Sequence, residues 1–239
     1  MNTTSLSSSL KLAGKVALVT GGSRGLGAAI AKRLAADGAT VAITFSSSPT
    51  KATEVVQAIQ AAGGKALAIK ADAADAKAVR AAVQQVVSTF GGIDILVNNA
   101  GVGAFVSVEK TSLEQWRQVV DTNLTGVFLC CRHALPLMRL RGGGWIINVS
   151  SLASTSPFAD GATYCASKAG LNAFTEALMQ EVRQDGIRVA QDLPNGQRTS
   201  CSSGRIVRST PCSSRTARSD CSTLSAVCSA GSVTSIIMA

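Results

Sequence analysis

The chain has 239 residues, 46% of them apolar and 15% charged, with a net charge of +9; that is enough chain to bury the core of one sizeable domain, and the wrong composition for a disordered one. Its lysines and arginines are scattered rather than gathered into a run and no recognition motif accompanies them, so no nucleic-acid partner is expected. No apolar stretch approaches the ~18 residues of a membrane span, and the opening residues Met1 to Leu6 lack the charged start and apolar centre of a signal peptide, so no membrane association and a cytoplasmic location are expected.

After a short leader, 1–13, strand-like and helix-like segments alternate. Residues 16–19 form an apolar run ending in glycines, the mark of a buried strand. A helix over 28–37 closes at Gly38, a strand follows over 41–45, and a helix over 51–62 ends at Gly63 and Gly64. Residues 66–70 are a third strand, 74–90 a helix ended by Gly91 and Gly92, and 95–97 a fourth strand. A long helix over 111–138 opens on Thr111 and Glu114, spaced as a capping box. A fifth strand spans 145–149, a second long helix 161–184, and 187–189 begins a sixth strand. Strict alternation of this kind predicts an α/β fold, a doubly wound parallel sheet of the Rossmann type, as a single domain over 14–190 with its ligand crevice at the carboxyl ends of the strands.

From 191 to 239 the text changes. This tail is rich in Ser, Arg, Thr and Cys, has no Lys, Glu or aromatic residue, and keeps neither a helical nor an alternating period over 200–225. It is expected to be poorly structured, leaving the sheet incomplete at its C-terminal edge and the strand at 187–189 uncovered. Cys130, Cys131 and Cys165 lie in apolar-periodic segments and are expected as reduced core thiols. Cys201, Cys212, Cys221 and Cys228 lack metal-type spacing and His133 is the only histidine, so no metal site is expected.

The turn after the first strand reads Thr20-Gly21-Gly22-Ser23-Arg24-Gly25-Leu26-Gly27 and opens a helix, the context in which glycine spacing has meaning. Gly21 permits the sharp turn, Gly25 and Gly27 allow close backbone approach, and the free amides of Ser23 to Gly27 face a pyrophosphate. The second strand ends Thr44-Phe45-Ser46-Ser47-Ser48, with no acid to accept the adenosine ribose hydroxyls. Arg24, with Ser46 opposite, is placed to take a 2′-phosphate, so NADP(H) is the expected cofactor.

Tyr164 and Lys168 are four apart and share a helix face. A phenol in water ionises near pH ~10; an ammonium one turn away, with the positive charge of an oxidised nicotinamide, favours the phenolate. Ser151, just past the fifth strand, can hydrogen-bond a substrate oxygen. Asn123 is an amide within a helix, and a water joining it to Lys168 would make a proton route. A Tyr and a Lys four apart are commonplace alone; their occurrence with Ser151 and Asn123, in order and in the correct elements, is not.

Residues 12–189 resemble the classical short-chain dehydrogenase/reductase family, and within it the 3-oxoacyl-(acyl-carrier-protein) reductase-like and related sugar-alcohol dehydrogenase members. The matching pieces are the glycine turn, Asp72 after the third strand, Asn98-Asn99-Ala100-Gly101 after the fourth, Asn123, Ser151, and Tyr164-x-x-x-Lys168. The resemblance implies that Tyr164 is the general acid/base, that Lys168 tunes it and holds the nicotinamide ribose, that Ser151 orients the carbonyl and that Asn123 keeps the proton relay. It further implies that Asp72, with Ala73 beside it, contacts the adenine, that Asn99 and Gly101 line the cofactor cleft, and that the two long helices, 111–138 and 161–184, pair subunits in a homodimer.

The expected activity is interconversion of a ketone, β-ketoacyl or similar, and a secondary alcohol by hydride transfer. The family continues after its sixth strand into a Pro-Gly pair, a substrate-covering segment, a helix and a seventh strand. Here Ala190-Gln191-Asp192-Leu193-Pro194-Asn195-Gly196 loses the pair, and the text beyond it reads as out-of-frame translation of a GC-rich gene would. The alternative function is therefore a dinucleotide-binding relic without turnover. The candidate pocket walls, 102–108 and 152–159, are apolar and mostly small, and do not identify a substrate.

Overall fold

The computed structural model describes residues 10–194 and the backbone of 199–201 and 206–207. Of the tail expected over 191–239, most therefore lies outside the described residues, as does the greater part of the leader. The sheet is built from β1 (Val16–Val19), β2 (Thr40–Phe45), β3 (Ala66–Lys70), β4 (Ile95–Asn98), β5 (Gly144–Val149) and β6 (Ile187–Asp192), followed by β7 (Thr199–Cys201) and β8 (Ile206–Val207). Its order is β3-β2-β1-β4-β5-β6-β7-β8, parallel through β6. The order reverses between β1 and β4, which opens a crevice at their carboxyl ends.

Alternation within each strand covers both faces. Ala17 and Val19 turn to the side of α1 (Gly25–Ala36) and α2 (Pro49–Ala61), where they meet Ile30, Leu34, Val55 and Ile59. Val16 and Leu18 turn to the other side, packed with Val79 and Val83 of α3 (Ala76–Phe90), Cys130 and Met138 of α5 (Gly126–Leu140), and Leu171 and Leu178 of α6 (Ala162–Glu181). The helices start where the local chemistry allows. Pro49 occupies the first turn of α2. The Asp75 carboxylate accepts the amides of Lys77 and Ala78 at the head of α3, and Gly91 ends that helix with a φ of +85°.

Three expectations are corrected. The single helix over 111–138 is two: α4 (Leu113–Val120) and α5, joined by a wide π turn over Asp121–Thr125. The capping box belongs to Ser112 and Gln115, one residue on from the expected pair; the Thr111 hydroxyl donates instead to the carbonyls of Ser107 and Val106. The sheet also does not stop at β6. That strand runs on to Asp192, and β7 pairs with it antiparallel through Ala190 and Gln191, with β8 antiparallel beyond. Over 187–189, β5 remains the one strand neighbour among the described residues. Cys130, Cys131 and Cys165 are buried free thiols, as their apolar context predicts, and burial pushes the Cys130 thiol up to about 12.

Candidate active site

The crevice at the switch point is a cleft of about 410 Å³. Gly21, Ser23, Arg24, Gly25, Leu26, Gly27, Ser46, Asp72, Ala73, Asn99 and Gly101 all line it, so every residue expected to hold a cofactor, apart from Tyr164 and Lys168, borders one cavity. Gln118 and Thr122, four apart at the end of α4 and in the π turn, also line it; sequence reading missed them because nothing marks one polar pair on an amphipathic helix as special.

Two loops close the cleft floor and are locked together. The Thr20 hydroxyl accepts the amides of Asn99 and Ala100, both at 3.0 Å. In return the Asn99 side chain donates to the carbonyls of Thr20 at 2.9 Å and Gly21 at 3.2 Å. Asn99 thus borders the cleft while its amide fixes the glycine turn. Gly27 has no room for a side chain, since a Cβ there would stand 2.5 Å from the Gly21 carbonyl oxygen. The first turn of α1 carries no side-chain cap, which leaves its amides facing the cleft for an anion. Arg24 is exposed at this point and pairs with no carboxylate among the described residues. Asp72 is exposed at the opposite wall, with one carboxylate oxygen accepting the Ala74 amide.

Of the residues expected to move a proton, Lys168 and Asn123 reach the edge of this cleft at Gly101. Lys168 is 4% exposed, and its ammonium donates to the Val149 carbonyl at 2.8 Å, two residues before Ser151. Burial holds its pKa down to about 8. The ammonium lies 5.9 Å from the centroid of the Tyr164 ring. Asn123 is fully buried in the π turn, where its carboxamide accepts the Val102 amide and donates to the Val102 carbonyl, both at 2.9 Å. It also donates to the Ser167 hydroxyl, which itself donates to the Tyr164 carbonyl. Asn123 therefore reaches the tyrosine's helix through Ser167, with no direct bond to Lys168. A Cβ built on Gly101 would lie 3.3 Å from the Asn123 carboxamide oxygen and 3.8 Å from the Lys168 nitrogen, so all three meet at the edge of the cleft.

Ser151 caps a single helical turn over Leu152–Ser154, its hydroxyl accepting the Ala153 amide at 3.2 Å. Asn172 grips the segment on both sides of it: the Ser150 hydroxyl donates to the Asn172 carboxamide oxygen at 2.5 Å, and the Asn172 nitrogen donates to the Ser154 hydroxyl at 2.8 Å. Sequence reading missed Asn172, although it follows Lys168 by four and Tyr164 by eight, the spacing of one helix face. Deeper in, Asn98 donates to Asn148 and Asn148 to Thr175, a buried chain that ties β4 and β5 to α6.

Comparison with known proteins adds lineage to this geometry. The model of the family described as short chain dehydrogenase matches residues 15–205. The chain is 43% identical over 175 residues to a 3-oxoacyl-(acyl-carrier-protein) reductase of Staphylococcus aureus, covering 73% of this chain and 71% of that protein. It is 42% identical over 189 residues to a 3beta-hydroxysteroid dehydrogenase 1 of Eggerthella lenta, covering 79% and 72%. Among solved structures, a short chain dehydrogenase from Burkholderia cenocepacia in complex with NADP superposes with a TM-score of 0.74 at 45% identity, covering 79% of this chain and 77% of that one. A metagenomic short-chain oxidoreductase in complex with NADP gives 0.75 at 41% identity, covering 78% and 84%.

Proposed function

The chain belongs to the short-chain dehydrogenase family, and from that footing we propose that it interconverts a ketone and a secondary alcohol with NADP(H). The observation that carries this reading is the meeting of Lys168, Asn123 and Gly101 at the edge of a cleft bordered by an uncapped helix start. The cofactor choice is supported by Thr44, Phe45, Ser46, Ser47 and Ser48, no acid among them, along the cleft, by the neighbouring Arg24, which pairs with no carboxylate among the described residues, and by NADP in the two solved relatives. The two named relatives act, by their names, on a 3-oxoacyl group and a 3β-hydroxysteroid, each a ketone or its secondary alcohol.

The glycine turn, Arg24, Ser46 and Lys168 would hold NADP(H), which would supply a hydride for the carbonyl carbon. Tyr164 gives its hydroxyl proton to the substrate oxygen, completing the alcohol and leaving a phenolate. The Lys168 ammonium stabilises that phenolate from inside the protein, where a charge acts through little solvent. The Ser151 hydroxyl donates to the substrate oxygen as negative charge grows there. Asn123 sets the Val102 backbone and, through Ser167, the start of α6; a water beside it would return a proton to Tyr164. Subunit pairing through the helices of 111–138 and 161–184 belongs to the same proposal, and sedimentation velocity tests it.

The test is NADPH titration by fluorescence followed by NADPH oxidation with added ketones. Tyr164→Phe is expected to lose turnover by several orders of magnitude with NADPH affinity kept; retained turnover would remove Tyr164 from its role. Cofactor binding without turnover in the unaltered chain would favour the relic reading.

A further inference from the structure

Two phenylalanines stand in the open beside Tyr164. Phe105, in the loop after β4, is 60% exposed, and Phe158, in the turn before α6, is 49% exposed. Their centroids are 5.8 Å apart with planes at 41°, and the Phe105 ring meets the Tyr164 ring edge-on at 5.6 Å and 65°. A single exposed apolar residue needs no explanation, but a run of rings that ends on the reacting tyrosine does.

The backbone makes room for both rings. A Cβ on Gly103 would stand 2.8 Å from the tip of the Phe105 ring, and one on Gly161 would stand 2.5 Å from the Phe158 ring. Asp160 takes a left-handed φ of 60° within the turn, and the Gly161 amide donates to the Phe158 carbonyl at 3.2 Å, which folds Phe158 back over the start of α6. The two segments that carry the rings, 101–107 and 152–159, contain no charged residue. Leu152, directly after Ser151, and Val102, whose backbone Asn123 holds, are exposed as well. Along these two segments the approach to Tyr164 therefore offers flat apolar faces, with the exposed Asp160 carboxylate just past the second.

We propose that Phe105 and Phe158 form an aromatic wall that selects ketones bearing a flat ring, aryl above all, next to the carbonyl. This rests on the reductase reading and narrows its substrate class. A flat ring seated on the wall removes water from both phenylalanines at once and stacks without freezing many rotors. A flexible alkyl chain would lose more freedom for the same area.

The experiment compares kcat/KM with NADPH for acetophenone and for cyclohexyl methyl ketone, which match in carbon number but differ in flatness. The unaltered chain is expected to prefer acetophenone, and the double variant Phe105→Ala, Phe158→Ala to lower the acetophenone-to-cyclohexyl ratio about tenfold. The double variant to Leu, which keeps apolar volume but no ring face, should lower the ratio nearly as far. Taking the ratio within one protein cancels any general loss from a disturbed Tyr164. An unmoved ratio in the alanine double variant overturns the wall, and is the outcome if the rings only pack against another part of the chain. If neither ketone turns over, the reductase reading fails separately. The wall is then read by saturation-transfer NMR of acetophenone on the NADP+ complex: binding abolished by the double variant supports it, and no binding overturns it.

Discussion

Lys168 is a buried cation whose removal should make the cofactor-free protein more stable while abolishing turnover. Its pKa is held at about 8 against an ordinary 10.5 because burial penalises the charged form. Below pH 8 the lysine is charged in both the folded and unfolded chain, and at pH 7 the folded chain carries the penalty of about 3.4 kcal/mol. Between about pH 8 and 10.5 the unfolded chain binds more protons than the folded one, so stability climbs with pH and the penalty falls to about 0.8 kcal/mol by pH 10. Lys168→Met carries no such penalty but leaves the Val149 carbonyl without its donor, a loss of about 1–2 kcal/mol. The variant should therefore be the more stable at pH 7 by about 1–2 kcal/mol, or roughly 2–8 °C in Tm for a domain of this size. Its advantage should vanish or reverse by pH 10. Thermal denaturation followed by circular dichroism from pH 6 to 10 reads the crossing. A Met variant less stable than the unaltered chain by the same margin at pH 7 and pH 10 would show that desolvation does not govern this lysine.

Arg24→Ala should weaken NADPH binding about tenfold or more and leave NADH nearly unchanged, as fluorescence titration would show, because only the 2′-phosphate offers a partner for the exposed guanidinium; equal losses for both cofactors would assign Arg24 elsewhere. Asn172→Leu, which frees both flanks of Ser151, should lower kcat by about tenfold or more with NADPH affinity kept, and Asn172→Asp, which still accepts from the Ser150 hydroxyl but loses the donor to Ser154, should restore part of it. Arg141→Ala removes the paired 2.8 and 2.9 Å bonds to the buried Asp94 carboxylate, leaving it the Val16 amide and a Lys15 ammonium at 3.9 Å. Urea unfolding should register a loss of about 2–4 kcal/mol, most of it recovered by Arg141→Lys only if charge rather than the forked geometry matters.

What the chain discloses in its order of residues follows the range of the interactions involved. The glycine turn and the Tyr164–Lys168 pair are legible because a strand-to-helix turn and one helical turn are each set within a few neighbours. The break inside 111–138 is not legible, because a lone glycine is tolerated within a helix and Gly126, which follows the break, is there for close approach to the Ala73 carbonyl, 2.5 Å from where its Cβ would stand. The π turn holds Asn123 on Val102 and Ser167, bonds that exist only once the β4 loop and α6 have arrived. The capping box fails for a narrower reason. Thr111 with Glu114 and Ser112 with Gln115 both satisfy the spacing, and the choice falls to Ser112 because the Thr111 hydroxyl is engaged by the preceding turn. Phe105 and Phe158 lie 53 positions apart in segments that each read as small and apolar. Their proposed role comes from meeting one another and Tyr164 in space, so the pair proposed to do the chemistry is legible locally while the wall proposed to select the ketone forms only between loops. On that division, substitutions at Phe105 and Phe158 should change which ketone is taken, while those at Tyr164 and Lys168 change whether any is.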